Sequence, residues 1–270
     1  MGSDAQSFYN SLLISADARL SRALSFRSNY TYSKSVDDSS GFTFGGLSPH
    51  QYGLVRTLDR GLSDYDIRHR ITTNFFYTLP SESGSRVLSQ ILGSWRVGGI
   101  VGFRTGVPTT PQINVRRPGY LFAATRPNLL AGQSNNPTKG VSIGCKDPIT
   151  GATVVEAGRK LGGPDLFFDP CVFGVPDPGT LGNLGRNTLI GPSVLSVDVS
   201  LQREFSLGNG THLQFRAEFF NLPNHSNFRT PTGASIVVFT GSGRFNPAAW
   251  RYTGTATTAR QTQFALRFSF

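Results

Sequence analysis

Residues 195–202 read LSVDVSLQ, residues 212–220 read HLQFRAEFF and residues 261–270 read QTQFALRFSF. In the first, Leu195, Val197, Val199 and Leu201 fall on one side of an extended chain, with Ser196, Asp198, Ser200 and Gln202 on the other. In the second, Leu213, Phe215, Ala217 and Phe219 oppose His212, Gln214, Arg216 and Glu218. In the third, Thr262, Phe264, Leu266, Phe268 and Phe270 oppose Gln261, Gln263, Ala265, Arg267 and Ser269. A helix would mix these sets around its circumference. A strand sends successive side chains to opposite faces, so the alternation predicts amphipathic strands.

The same design recurs four times toward the N-terminus. Leu12, Ile14, Ala16 and Ala18 alternate with Leu13, Ser15, Asp17 and Arg19, and Leu24, Phe26, Tyr30 and Tyr32 alternate with Ser25, Arg27, Asn29 and Thr31. Ile71, Thr73, Phe75 and Tyr77 then oppose Arg70, Thr72 and Asn74, and Trp95, Val97, Val101 and Phe103 oppose Arg96, Gly98, Gly102 and Arg104. Segments of about 9–11 residues suit a tilted strand that crosses a bilayer. Strands of soluble sandwiches run nearer ~5–6. Connections alternate in size: short at 20–23, 79–94 and 205–211, long at about 34–67, 105–194 and 221–260. Short turns at one rim and long loops at the other are the plan of outer-membrane barrels. The expected fold is therefore all-β, a partial transmembrane antiparallel β-barrel of about seven strands with long extracellular loops. Its lipid-facing set includes Leu195, Val197, Val199, Leu201, Leu213, Phe215 and Phe219, and its lumen-facing set includes Asp198, Arg216, Glu218 and Arg267. Aromatic residues toward strand ends, such as Tyr30, Tyr77, Trp95 and Phe268, are expected to form interfacial girdles.

Composition supports a chain divided between two solvents. Hydrophobic residues make up 38% and charged residues 16%, against ~25% charged in soluble domains, so Ser, Thr, Asn, Gln and Gly carry the polarity. The net charge of +10 calls for a polyanionic neighbour. It is scattered, with no zinc, helix-turn-helix or RNA-binding motif, which favours phosphate-rich lipid headgroups and lipopolysaccharide over nucleic acid. No run of eighteen apolar residues is present, and the start of the chain lacks the form of a secretory signal. The 105–194 loop holds eleven of the sixteen prolines and both cysteines, Cys145 and Cys171. Two cysteines in one exterior loop are expected to form a disulfide worth roughly 3–4 kcal/mol by the chain-entropy estimate, which implies an oxidising compartment.

Catalytic and metal signatures are not found. His50, His69, His212 and His225 have no metal-ligand spacing, the glycine clusters lack a phosphate-binding lysine, and Ser226 beside His225 points away from it on a strand. Binding or passage is expected rather than enzymatic activity, with no cofactor. One structural expectation concerns the hairpin around Leu207. If partner numbers sum to 414, Asp198 lies opposite Arg216 as an ion pair on the wet face, and Val199 lies opposite Phe215.

The ending QFALRFSF, with terminal Phe270, resembles the signal by which the barrel assembly machinery recognises outer-membrane proteins, carried by Phe264, Leu266, Phe268 and Phe270. The blocks YNSLLISADARLSRALSFRSNYTYSKSVDDSS, LSDYDIRHRITTNFFYTLP, GNLGRNTLIGPSVLSVDVSLQREF and LQFRAEFFNLPNHSNF resemble the C-terminal part of Oar-like TonB-dependent receptors of the acidobacterial type, a group with a carboxypeptidase-regulatory-like domain. The resemblance implies that residues 1–270 are the end of a 22-stranded barrel in the outer membrane of a Gram-negative cell, lacking signal peptide, TonB box and plug, and so a truncated product or partial reading frame. It also implies import of an extracellular ligand, such as a glycan, peptide or iron chelate, with the TonB complex acting through the missing plug. Phe42, Phe44, Tyr120 and Trp250 are candidates to stack on a sugar. The competing readings are a plug-less porin-like barrel and a secreted β-sandwich adhesin or carbohydrate-binding protein.

Overall fold

The computed structural model describes residues 5–40, 51, 55–80, 94–115, 126–208 and 210–270. Seven long strands dominate it: β1 (Ser7–Arg19), β2 (Leu24–Asp37), β3 (His69–Thr78), β4 (Arg96–Arg104), β5 (Val194–Gly208), β6 (Thr211–Phe220) and β7 (Gln261–Ser269). They form one antiparallel sheet in sequence order, joined by the two-residue strand Gly61–Leu62 on β2. A meander is the shortest way to pair consecutive strands, and every such pairing here closes at a turn or a loop.

Register carries the amphipathic pattern across all seven strands. Leu12 pairs with Tyr32 and Ile14 with Tyr30, Tyr30 then with Ile71, and Ile71 with Phe103. Phe103 continues to Leu195, while Leu201 meets Ala217 and Ala217 meets Phe264. These positions form one apolar face. Asp17, Arg27 and Asn74 form a matching row on the other face, with Arg27 bonded to Asp17 at 2.5 Å. Among the described residues no second sheet covers the apolar face. Phe264 is 67% exposed and Leu266 72% exposed, which removes the sandwich, in which such side chains would be hidden between layers.

The structure corrects the hairpin register. Val199 pairs with Phe219 and Gln202 with Arg216, so the numbers sum to 418 and the pivot sits two residues later than Leu207. β5 runs on to Gly208, and the link is shortened to the residues between Gly208 and Thr211, where Gly208 and Gly210 adopt φ of 91° and 76°. Both sums are even, so every side chain keeps its face. The expected Asp198–Arg216 pair does not form. Asp198 accepts the backbone N–H of Asn221 at 2.8 Å, and Arg216 bonds Glu218 on its own strand at 2.5 Å. β2 likewise continues to Asp37, past the expected start of its loop.

Two features of the apolar face go beyond simple alternation. Arg203 lies on it, 7% exposed, with its guanidinium 4.7 Å from the ring centre of Phe205 and 5.8 Å from that of Trp95. The rings accept the cation through their negative faces near the turn end of the sheet. Gly99 pairs with Phe75, whose ring lies across the missing side chain: a Cβ built there would be 2.4 Å from the ring. Gly99→Val is expected to cost about 1–3 kcal/mol through this clash. A lowered unfolding midpoint in detergent, followed by tryptophan fluorescence, checks it; an unchanged midpoint would mean that the ring moves aside freely.

Candidate functional site: a folded cap at the loop end

The described residues of the long connections do not simply trail into solvent. Residues from the 105–194 and 221–260 connections build the main hydrophobic core, which includes Ile113, Leu166, Phe168, Val172, Leu189, Val238 and Phe239, each 2% exposed or less. Aromatic packing stiffens it. Phe228 stacks on Tyr252 at 4.5 Å and Phe167 approaches the same ring at 4.9 Å, half-burying the Tyr252 phenol and pushing its pKa up to about 12. Short pairings tie the chain to itself: Pro108–Thr109 with Leu189–Ile190, Asn128–Leu129 with Phe173–Gly174, and Gln112–Ile113 with Val237–Phe239. The sulfurs of Cys145 and Cys171 are bonded, with Cα atoms 5.3 Å apart. Proline confines helix here to single 3-10 turns such as Pro170–Val172 and keeps out central strands, yet short pairings and apolar packing still give the region a core.

Polar side chains root the cap on the sheet. Asn227, 1% exposed, accepts the N–H of Leu195 at 2.8 Å and donates to its carbonyl at 2.7 Å, so an amide side chain stands in for a strand neighbour. At the far end of β2, Arg186 donates to the carboxylate and the carbonyl of Asp37, to Ser40 Oγ and to the carbonyl of Asp59. Between these roots Gly106 meets Gly191 so closely that a Cβ would lie 1.9 Å from the Gly191 carbonyl oxygen. Only glycine permits that approach.

A polar cavity of about 300 Å³ lies among the loop roots, lined by residues of all three long connections. Arg126 forms part of its wall. Its Nε donates to Gln51 Oε1 at 2.6 Å, and its Nη2 donates to the Leu58 carbonyl at 2.8 Å and to Asp59 Oδ1 at 3.1 Å. Nη1 is buried and has no hydrogen-bond partner among the described residues. Burial pulls the guanidinium pKa down, Asp59 opposes that, and Arg186 adds to it. Asn187 and Thr110 hold the opposite wall by a reciprocal pair of bonds at 2.8 and 2.9 Å. Among the described residues, no three His, Cys, Asp or Glu side chains gather to hold a metal ion.

The residues singled out from sequence are distributed as follows. Leu195, Val197, Val199, Leu201, Leu213, Phe215 and Phe219 share the apolar face with Phe264, Leu266 and Phe268. Asp198, Arg216, Glu218 and Arg267 share the polar face. Trp250 is not available to a ligand: it is 4% exposed, packs edge-on to Phe245 and accepts the Phe167 N–H through its carbonyl. Phe42, Phe44 and Tyr120 lie outside the described residues. Sequence reasoning missed Arg126 and Arg186, whose partners are up to 149 positions away.

Two measurements check the cap. Asp147 Oδ1 accepts the N–H groups of Thr150 and Ile149, and its Oδ2 accepts that of Phe245, which ties the two long connections together. The Thr150 N–H above all, then those of Ile149 and Phe245, hold this carboxyl below its ordinary 3.8 and outweigh the opposing effect of burial. A depressed folded-state pKa stabilises fully above the unfolded value and is lost as pH falls through the folded one. Protease resistance of the cap is therefore expected to hold at neutral pH and to decline below the ordinary carboxylate range, with Asp147→Asn flattening the decline. Arg186→Met leaves Asp37 buried without its cation and is expected to cost about 3–5 kcal/mol, read as cap proteolysis at neutral pH.

A family model described as an outer membrane beta barrel domain matches residues 1–263. Neither a curated protein nor a solved structure matches the chain. With one amphipathic meander and nearly its whole length matched, the chain belongs to the outer membrane beta barrel domain family and is a protein of the outer membrane.

Proposed function

We propose that this chain supplies barrel wall and extracellular ligand-binding loops to a TonB-dependent receptor of the Oar-like kind. Its role is binding and passage, not catalysis. The observation that carries this reading is the cap itself: a packed, disulfide-bonded structure with a polar cavity, rooted at one end of a membrane sheet. A simple pore has no need of such a structure, whereas a receptor needs a shaped surface facing its ligand. Leu195, Val199 and Phe215 then face lipid, and Asp198, Arg216, Glu218 and Arg267 face the interior. Phe264, Leu266, Phe268 and Phe270 serve the assembly machinery, and lipopolysaccharide surrounds the outer rim.

The strand directions support membership in a larger ring. β1 runs from the cap end to the turn end, since Ser7 pairs with Asp37, and β7 does the same, since Gln261 pairs with Phe220. An all-antiparallel ring therefore requires an odd number of further strands between them. In lipid those strands are needed, because unpaired peptide groups there cost several kcal/mol each.

Val199→Arg is expected to cost about 2–4 kcal/mol in lipid-reconstituted protein if it lies near the bilayer midplane, while Ser200→Arg, one residue along on the opposite face, costs far less. Equal costs would refute the assignment of faces. Collapse of the proton-motive force is expected to stop ligand uptake by the whole receptor while leaving surface binding intact; continued uptake would favour a porin.

A further inference from the structure

We infer that the interior face carries an anion-binding site just below the cap, formed by Arg70 and Arg104, and that the ligand passing it bears an oxyanion group, a carboxylate or a phosphate. The inference rests on the receptor reading, which makes the polar face the interior, and adds a ligand class to it.

Register brings two cations together. Arg70 of β3 lies directly opposite Arg104 of β4, in the row that runs Thr31, Arg70, Arg104, Val194. The Thr105 N–H donates to the His69 carbonyl at 3.0 Å, which makes His69 and Thr105 a hydrogen-bonded pair. Arg70 and Arg104, one step along, are then a pair of the other type, in which Cα atoms approach to ~4.5 Å and side chains lie closer. Both belong to the polar face, two residues from Thr72 and Gly102, the next pair on that face. Like charges set directly opposite destabilise a sheet. An anion held between them turns the same contact favourable.

Among the described residues neither arginine has an ion-pair partner. The carboxylates around them are engaged elsewhere. On the cap side Asp66 is held by Arg68 and by the Ser35 N–H. On the turn side Asp17 is held by Arg27 and Asp198 accepts the Asn221 N–H. Those two share the row of Asn74 and Ile100, four residues or roughly 13 Å along the strands from the arginines. An open pocket of about 230 Å³ lies at the arginine pair, with Thr72, Gly102 and Ser196 also on its wall and no acidic residue among its described lining. Gly102 keeps it clear, since a Cβ there would sit 2.8 Å from Ser196 Oγ. The Thr72 and Ser196 hydroxyls can donate to an oxyanion beside the two guanidinium forks. The volume is below that of sites which enclose a whole ligand, so the pocket fits one charged group of a larger molecule.

The test is calorimetric titration of the full chain, in nonionic detergent at low ionic strength, with inorganic phosphate, tricarballylate and, as a neutral probe, maltotriose. The expected result is binding of phosphate or tricarballylate, weakened tenfold or more by Arg70→Gln and by Arg104→Gln. Arg96→Gln, which removes a cation from the same face at the turn end, is expected to change it less than twofold. The tighter anion identifies the group as phosphate or carboxylate. Absence of anion binding, tighter binding of maltotriose, or an equal loss in all three variants overturns the inference, the last because a net charge of +10 attracts any anion. In anion-free buffer Arg104→Gln is expected to raise the unfolding midpoint by removing the opposed charge; a lowered midpoint marks the arginine as structural and overturns the inference. The receptor reading fails separately. Uptake that survives collapse of the proton-motive force refutes it, while anion binding that still depends on Arg70 and Arg104 then supports the site as part of a passive channel.

Discussion

Within hydrocarbon no water is present to satisfy a peptide group, so each N–H and C=O must find its partner in the protein. This requirement accounts for the continuous antiparallel ladder from β1 to β7, in which each interior strand is bonded on both sides. Given the ladder, side chains can only alternate, and each face takes the character of the medium it meets. The polar rows therefore need no burial, and the apolar rows no partner sheet. Even the exceptions obey the rule: Arg203 is surrounded by aromatic rings near the turn end, and Phe75 fills the space that Gly99 leaves.

The cap follows a different physics. Its core is closed against water by Phe168, Leu189 and Val238 in the manner of a small water-exposed domain. A disulfide and short strand pairs supplement a modest hydrophobic core, as they do in small extracellular domains. The two regimes meet at side chains that imitate backbone. Asn227 continues the β5 ladder with its amide, and Arg186 grips both the side chain and the carbonyl of Asp37. Because these contacts are polar, they work at a boundary where neither lipid nor a closed apolar core is available.

What the sequence disclosed depended on range. Alternation is local, so the seven strands, their faces and the sites of the long connections were all legible. The parity of the β5–β6 hairpin was legible for the same reason, but its pivot was not. Alternation is indifferent to shifts of two residues, and the choice fell to the glycines at 208 and 210. The cap was obscured by its prolines, although Phe167-Phe168 and Val237-Val238-Phe239 within supposed loops were a usable sign of burial. Trp250 illustrates the cost of missing it, since a ring assigned to a ligand turned out to be core. Arg126 and Arg186 left no local trace, because each is defined by partners from a distant connection.

The shared direction of the two outer strands has a consequence for how such barrels diversify. Side-by-side repetition of this unit would always set one outer strand parallel to the next, so tandem duplication of the whole segment cannot enlarge an antiparallel ring. Insertion or loss of a hairpin, which carries two strands of opposite sense, leaves the alternation intact. Lineages built on this segment are thereby confined to growth in steps of two, with the cap free to change in length and sequence between them.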